Sequence, residues 1–217
     1  MKIKAKAFLF DLNGTIIDDM PYHADAWFDI LNNELKANLS RAEVSLQMYG
    51  KNAELLVRIF GKDFFTSARI DELSFEKERR YQLSYRPKLA LIDGLKLFLE
   101  AAKRADILMA IGSAAIPFNI DFVLDNLQLR QFFPVVVSAD DVNISKPHPE
   151  TFLLCAKALG IMPQDCIVFE DVPKGVESAR NAGMRTFVLT TTHPEEDFAG
   201  FSNVIGFGKN YTDLVIG

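Results

Sequence analysis

A carboxylate at the end of a short apolar run, followed by an amide, a glycine and a hydroxyl, is the chain's most chemically suggestive segment: Phe8-Leu9-Phe10-Asp11-Leu12-Asn13-Gly14-Thr15. An aspartate so placed can serve as a nucleophile that divides a group transfer into a covalent step and a hydrolytic step. Three other features occupy comparable places. Ser113 follows Leu108-Met109-Ala110-Ile111-Gly112, Lys146 lies in Ile144-Ser145-Lys146-Pro147, and Glu170-Asp171 follows Cys166-Ile167-Val168-Phe169. If each lies just beyond a parallel strand, all converge at one sheet edge, where such sheets bind ligands. Together they describe a phosphate and metal site. Asp11 attacks phosphorus, Ser113 and the Ala114 N–H near a following helix start donate to phosphoryl oxygens, and Lys146 offsets the negative charge. Mg2+ suits such a site because it takes oxygen ligands from a few carboxylates while keeping waters. Asp11 and Asp171 are its leading ligands, with Glu170 a further direct or water-mediated one. Taken singly, either carboxylate reads as a helix cap or surface charge and Ser113 reads as an N-cap. Their joint placement favours the site.

The elements that must position these residues are legible as periodic runs. Short apolar segments at 107–111, 134–137, 166–169 and 186–189 read as strands buried on both faces, with 5–10 as the first strand. Helical patterns at 95–104, 119–127, 149–159 and 175–182 lie between them, so the expected core is an α/β, Rossmann-like parallel sheet covered by helices. From residue 16 to about 88 the rhythm changes to helices alone, at 23–35, 43–49 and 53–60. That stretch reads as an inserted α-helical cap, with Arg86-Pro87-Lys88 as the returning linker. The expected domains are therefore 1–15 with 89–217, and 16–88.

Composition bounds the function. The chain has 217 residues, 49% hydrophobic, and a formal net charge of −5, which supplies no general attraction to nucleic acid or anionic membrane. Lysines at 2, 4 and 6 precede an apolar stretch that ends at Asp11, too short for a secretory core. No segment has the length and apolarity of a membrane span, so a cytoplasmic protein, monomeric or weakly self-associating, is expected. Cys155 and Cys166 lie in apolar surroundings without zinc-type spacing and read as reduced core residues.

The four features, in order and over nearly the whole chain, resemble the haloacid dehalogenase-like hydrolase superfamily, in its helical-cap class and its beta-phosphoglucomutase-like phosphatase branch. Asp11-Leu12-Asn13-Gly14-Thr15 resembles the first motif, Ser113 the second, Ser145-Lys146-Pro147 the third, and Glu170-Asp171 with Gly175 the fourth. The resemblance implies magnesium dependence, an aspartyl phosphate at Asp11, substrate contact around Gly14 and Thr15, and metal coordination by the Asn13 backbone carbonyl. It also implies that the cap excludes bulk water and selects a small phosphorylated metabolite. His23, in Pro21-Tyr22-His23-Ala24-Asp25-Ala26-Trp27, would bind substrate or assist proton transfer near Asn13, unless it is an ordinary linker histidine. Gly50 and Lys51 fall where the branch presents a substrate loop followed by an arginine, but Ala53 stands in the arginine's place. Lys51 is then a distal phosphate contact or an exposed lysine. Lys77 resembles a cap lysine that touches substrate, with a helix-surface ion-pair network as the other reading.

Asn13 is the principal departure. The family's active members usually carry aspartic acid there to protonate the leaving oxygen and then activate water, and an amide cannot exchange that proton. Losing a general acid and base costs about 10²- to 10⁴-fold in rate. The leading expectation is a magnesium-dependent phosphohydrolase, weakened at Asn13 or acting on a substrate with a good leaving group. The alternatives are a hexose-phosphate mutase and a catalytically impaired phosphometabolite-binding protein, natural or engineered.

Overall fold

The computed structural model describes residues 1–217. They divide into two compact units, Met1–Asp18 with Ala90–Gly217, and Asp19–Leu89.

The first unit is built on β1 (Lys2–Ile3), β2 (Ala7–Phe10), β3 (Leu108–Gly112), β4 (Val135–Val137), β5 (Cys166–Glu170), β6 (Arg185–Leu189), β7 (Val204–Gly208) and β8 (Val215–Ile216). Six of these form one parallel sheet in the order β4-β3-β2-β5-β6-β7, and β1 pairs with β8 in a small parallel sheet of its own. Strand β2 is central, and all four of its residues are buried. In register, Phe10 lies beside Ile111 on one side and Phe169 on the other, so Asp11 emerges between the ends of β3 and β5.

The phenylalanines explain this central position. Phe10 stacks on Phe169 with ring centroids 4.7 Å apart, and Phe8 stacks on Phe98 at 5.4 Å. Phe98 belongs to the helix Leu95–Arg104, whose buried residues Leu95, Phe98, Leu99 and Ala102 make an i, i+3, i+4, i+7 stripe against the sheet. Burying one such aromatic side chain contributes about 2–3 kcal/mol. On the other face Ala7, Leu9, Ala110, Phe152, Cys155, Cys166 and Val168 pack together, and both cysteines are free thiols.

The second unit carries α1 (Met20–Phe28), α2 (Arg41–Leu46), α3 (Asn52–Phe60) and α4 (Ser67–Tyr85), and α1 continues into a π-helical stretch at Asp29–Glu34. Trp27, Ile30, Leu31, Val44, Leu55, Leu56 and Leu73 form its core. Ser40 and Glu43 cap α2 reciprocally, and the Thr66 hydroxyl accepts from the Arg69 N–H at the start of α4. The core unit resumes with α5 (Leu95–Arg104), α6 (Pro117–Asn126), α7 (Glu150–Leu159) and α8 (Pro173–Asn181). No helix is long and apolar enough to cross a membrane.

Two expectations are corrected. Strand β4 lies at the sheet edge with Val136 37% exposed, so it is not buried on both faces. The sheet also extends to β7, where Gly206 and Gly208 weaken the strand pattern that sequence alone offers.

Candidate active site

Lys146 joins two strand ends. Its Nζ donates to Asp11 Oδ1 at 2.6 Å and to Glu170 Oε1 at 2.8 Å, and lies 4.5 Å from the centre of the Phe152 ring. The loop that carries it is fastened to α8. Ser178 Oγ donates to His148 O at 2.8 Å, and Asn181 Nδ2 donates to Pro147 O at 3.0 Å. Such fastening matters because a lysine has four rotatable side-chain bonds and holds a fixed place only when its stem is packed and its backbone restrained.

Glu170 is fully buried, and both its oxygens are engaged. Oε1 takes the lysine, while Oε2 accepts from the Asp171 N–H at 2.9 Å and the Val172 N–H at 3.1 Å. A Cβ at Gly175 would overlap this carboxylate, so only glycine lets α8 pass so close. Glu170 therefore anchors Lys146 and its own turn. With both oxygens holding protein donors, the water-mediated form of its expected contact with a cation fits better than the direct one.

Asp171 sits beneath the Asn13-Gly14 turn. Its Oδ1 accepts from Thr15 Oγ1 at 3.2 Å and its Oδ2 accepts from Thr192 Oγ1. Gly14 holds φ +72°, its N–H donates to Ile17 O at 2.7 Å, and a Cβ there would overlap the Asp171 carboxylate. Both a left-handed backbone and the absent side chain are thus required at this position. Tyr211 Oη closes the turn by donating to Thr15 O at 2.9 Å.

Ser113 is buried at the end of β3, and its Oγ accepts from the Ala115 N–H at 3.1 Å. Helix α6 begins only at Pro117 with Ile116 as its N-cap, so the Ala114 N–H belongs to the intervening turn and not to a helix start. That corrects the expected helix-end contribution at Ala114.

Burial is the largest influence on the carboxylates of this site. Asp11 and Glu170 are buried against one ammonium, Lys146, and Asp171 is buried next to Glu170 in the chain. Burial pushes Asp11 up, Lys146 pulls it down and Glu170 pushes it up again, to about 7. Asp171 is raised well above the usual carboxylate range by burial, then by Glu170 and Asp11, against the lowering effect of the two threonine hydroxyls. Lys146 is raised because Asp11 and Glu170 outweigh its own burial. No group of three or more His, Cys, Asp or Glu side chains is preassembled as a metal cage. Two carboxylates with an excess of buried negative charge nevertheless fit Mg2+, which is bound by one or two carboxylates and retains waters.

The helical unit holds a separate buried polar chain. Lys77 Nζ lies 2.5 Å from His23 Nδ1 and 3.0 Å from both Glu78 oxygens. An ammonium only donates, so Nδ1 accepts and His23 Nε2–H points to Asp19 Oδ2 at 3.2 Å. Tyr81 Oη donates to the same Asp19 oxygen at 2.5 Å, its ring stacks on His23 at 3.7 Å, and Asn52 Nδ2 donates to Glu78 at 2.6 Å. Both His23 ring nitrogens thus have partners within the unit, so a substrate or proton-transfer role for it would compete with Lys77 or Asp19. Lys77 is 3% exposed and belongs to no helix-surface network. Gly50 has φ +72° and precedes Lys51, the N-cap of α3, whose N–H donates to Glu54 at 3.0 Å.

Sequence reasoning missed Thr192 and its neighbour Thr191, whose Oγ1 donates to Gly14 O at 2.5 Å. A run of threonines after β6 carries no signature of its own; only the sheet order brings it to the Gly14 turn.

Comparison with known proteins agrees with this geometry. The profile of the haloacid dehalogenase-like hydrolases matches residues 5–183. A fructose-1-phosphate phosphatase of Escherichia coli (strain K12) is 34% identical over 178 residues, covering 81% of this chain and 92% of its own. The beta-phosphoglucomutase of Bacillus subtilis (strain 168) is 32% identical, covering 82% of this chain and 80% of its own. Among solved structures, a family IA, variant 3 hydrolase from Entamoeba histolytica has a TM-score of 0.86 at 26% identity, covering 98% of this chain and 96% of its own. With its parallel-sheet core, the Asp11-Lys146-Glu170-Asp171 cluster and these relatives, the chain belongs to the haloacid dehalogenase-like hydrolases and is an enzyme of that family.

Proposed function

We propose that this enzyme is a magnesium-dependent phosphohydrolase that removes the phosphoryl group from a small sugar or polyol monophosphate through an aspartyl phosphate at Asp11. The observation that carries the reading is the Lys146 ammonium held between Asp11 and Glu170, beside the buried Asp171. The two relatives described above, a sugar-phosphate phosphatase and a sugar-phosphate mutase, support the substrate class.

Asp11 and Asp171 would hold the cation, with the Asn13 carbonyl, and when bound it supplies positive charge to the phosphoryl oxygens and the attacking carboxylate. An Asp11 oxygen forms a bond to phosphorus as the bond from phosphorus to the sugar oxygen breaks. Lys146 offsets the charge gathered on the equatorial oxygens, and the Ser113 hydroxyl and turn N–H groups orient them. The departing alkoxide takes a proton from solvent or from its own adjoining hydroxyls, since the Asn13 amide has none to give. Water then attacks phosphorus, which frees Asp11 and releases phosphate. An anomeric or acyl phosphate, whose leaving group needs least protonation, would turn over best.

Hydrolysis is favoured over the mutase alternative by the helical unit. A mutase must grip a second phosphate, and here Ala53 stands where that branch has arginine while Lys77 is neutralised by both oxygens of Glu78. A phosphate-release screen over sugar and polyol monophosphates, run on this chain and on Asn13→Asp, tests the proposal. Turnover rising by about 10²- to 10⁴-fold in Asn13→Asp is expected, with loss of the phosphoenzyme in Asp11→Asn. No phosphate release from either chain, with folding and Mg2+ binding intact, overturns it.

A further inference from the structure

The four strand-end features leave one contact set unexplained. The loop that follows β6 places two consecutive hydroxyls on the catalytic turn: Thr192 Oγ1 on Asp171 Oδ2, and Thr191 Oγ1 on the Gly14 carbonyl at 2.5 Å. With Thr15 Oγ1 on the other Asp171 oxygen, both oxygens of that buried carboxylate take a hydroxyl donor. Thr190 roots the loop, since its N–H donates to Gly208 O at 2.9 Å on the neighbouring strand β7. A Cβ on Gly14 would meet both the Asp171 carboxylate and, at 2.9 Å, the Thr192 hydroxyl oxygen.

We infer that Thr192 is a positioning residue for the cation site, holding the Asp171 carboxylate in its metal-binding orientation before the cation arrives, with Thr191 fixing the turn above it. The inference rests on the proposed magnesium-dependent site and adds to it a fifth loop that touches neither substrate nor metal. The physical argument is preorganisation. A carboxylate has several lone-pair directions, so one hydroxyl on each oxygen leaves room for a cation while removing the freedom of the side chain to rotate. Partners in this position typically change metal affinity by about 10- to 100-fold when removed. The other physical outcome is competition, in which the Thr192 hydroxyl must be displaced before a cation can bind.

The test measures Mg2+ binding to the protein alone by calorimetry, with no substrate present, for the unaltered chain, Thr192→Val, Thr192→Ser and Asp171→Asn. The expected result is Mg2+ affinity lower by about 10-fold or more in Thr192→Val and restored in Thr192→Ser, which keeps the hydroxyl. Thermal unfolding of each metal-free variant shows whether the fold is retained. Should Thr192→Val unfold, Thr192→Ala and Thr192→Cys, which also lack a strong hydroxyl donor, take its place. Unchanged or tighter Mg2+ binding in a folded hydroxyl-free variant overturns the inference. Failure of the unaltered chain itself to bind Mg2+, or binding that survives in Asp171→Asn, instead overturns the site reading on which it rests.

Discussion

The chain contains two buried polar clusters made from similar residues. At the strand ends, Lys146 joins Asp11 to Glu170, and Asp171 is buried next to Glu170 in the chain. In the helical unit, Asp19 and Glu78 surround Lys77, His23, Tyr81 and Asn52. The first has one cation for three carboxylates, and burial, with Glu170 adding to it against Lys146, lifts Asp11 to about 7. The second has one cation for two carboxylates, with an imidazole, a phenol and an amide donating to the acidic groups. The strand-end cluster holds more carboxylates than its one ammonium pairs. In the helical cluster both Glu78 oxygens take Lys77, and Asp19 Oδ2 takes both the imidazole and the phenol. Burial of polar groups alone does not mark a reactive site; the sign and size of the charge left unbalanced does.

Breaking each cluster at its lysine or its acid should expose the difference. The largest effect is expected from Lys146→Ala, which leaves Asp11 and Glu170 facing each other without a counter-charge. Turnover should fall about 10²- to 10³-fold. The metal-free protein should lose about 3–5 kcal/mol, the cost of removing one partner of a buried pair, measured by denaturant unfolding. Mg2+ should restore part of that stability, and a variant as stable as the parent would deny that Lys146 compensates buried charge.

A smaller effect is expected from Glu78→Gln. It deprives Lys77 of its counter-charge, so unfolding should show a loss of about 2–3 kcal/mol, while Mg2+ affinity stays at the parent value. A change in Mg2+ affinity comparable to that in Asp171→Asn would mean that the two clusters are not separate.

The mildest probe is pH. In the metal-free fold Asp11 lies near 7 because of burial and Glu170, above its value of 3.8 in an open chain. A carboxylate raised on folding adds stability below its unfolded value and loses that contribution as pH rises through the folded one, here between 3.8 and about 7. Cation binding favours the ionised form, so Mg2+ affinity should rise by about 10-fold from pH 6 to pH 8 and binding near pH 7 should release protons. Calorimetry in buffers of different ionisation enthalpy measures both, and a pH-independent affinity would remove Asp11 from the ligand set.

Much of the sheet and of the first cluster could be read from sequence because each reacting residue closes a local apolar run. Asp11 follows Phe8-Leu9-Phe10 and Glu170 ends Ile167-Val168-Phe169, so strand and site share one short signal. Thr192 offered no such signal, because its role depends on β6 lying beside β5 and on the loop reaching back across 21 residues to Asp171. His23 shows the reverse case. Its neighbourhood pointed to chemistry, yet Lys77, 54 residues away, and Asp19 occupy its two nitrogens, and only tertiary structure reveals that. Strand β7 was hidden by its glycines, which lower strand propensity where the sheet nevertheless continues.

Helix α8 contributes no reacting atom, yet it bears on two of the groups that fix the ammonium. It holds the Lys146 loop through Ser178 and Asn181, and Gly175 clears the space that Glu170 fills. For protein engineering this sets the smallest transplantable part. Grafting the four strand-end residues onto another sheet would copy the letters of the site without its frame. The parts to move together are residues 144–149 and 170–181, along with Asp11 and Phe152, which the ammonium also meets.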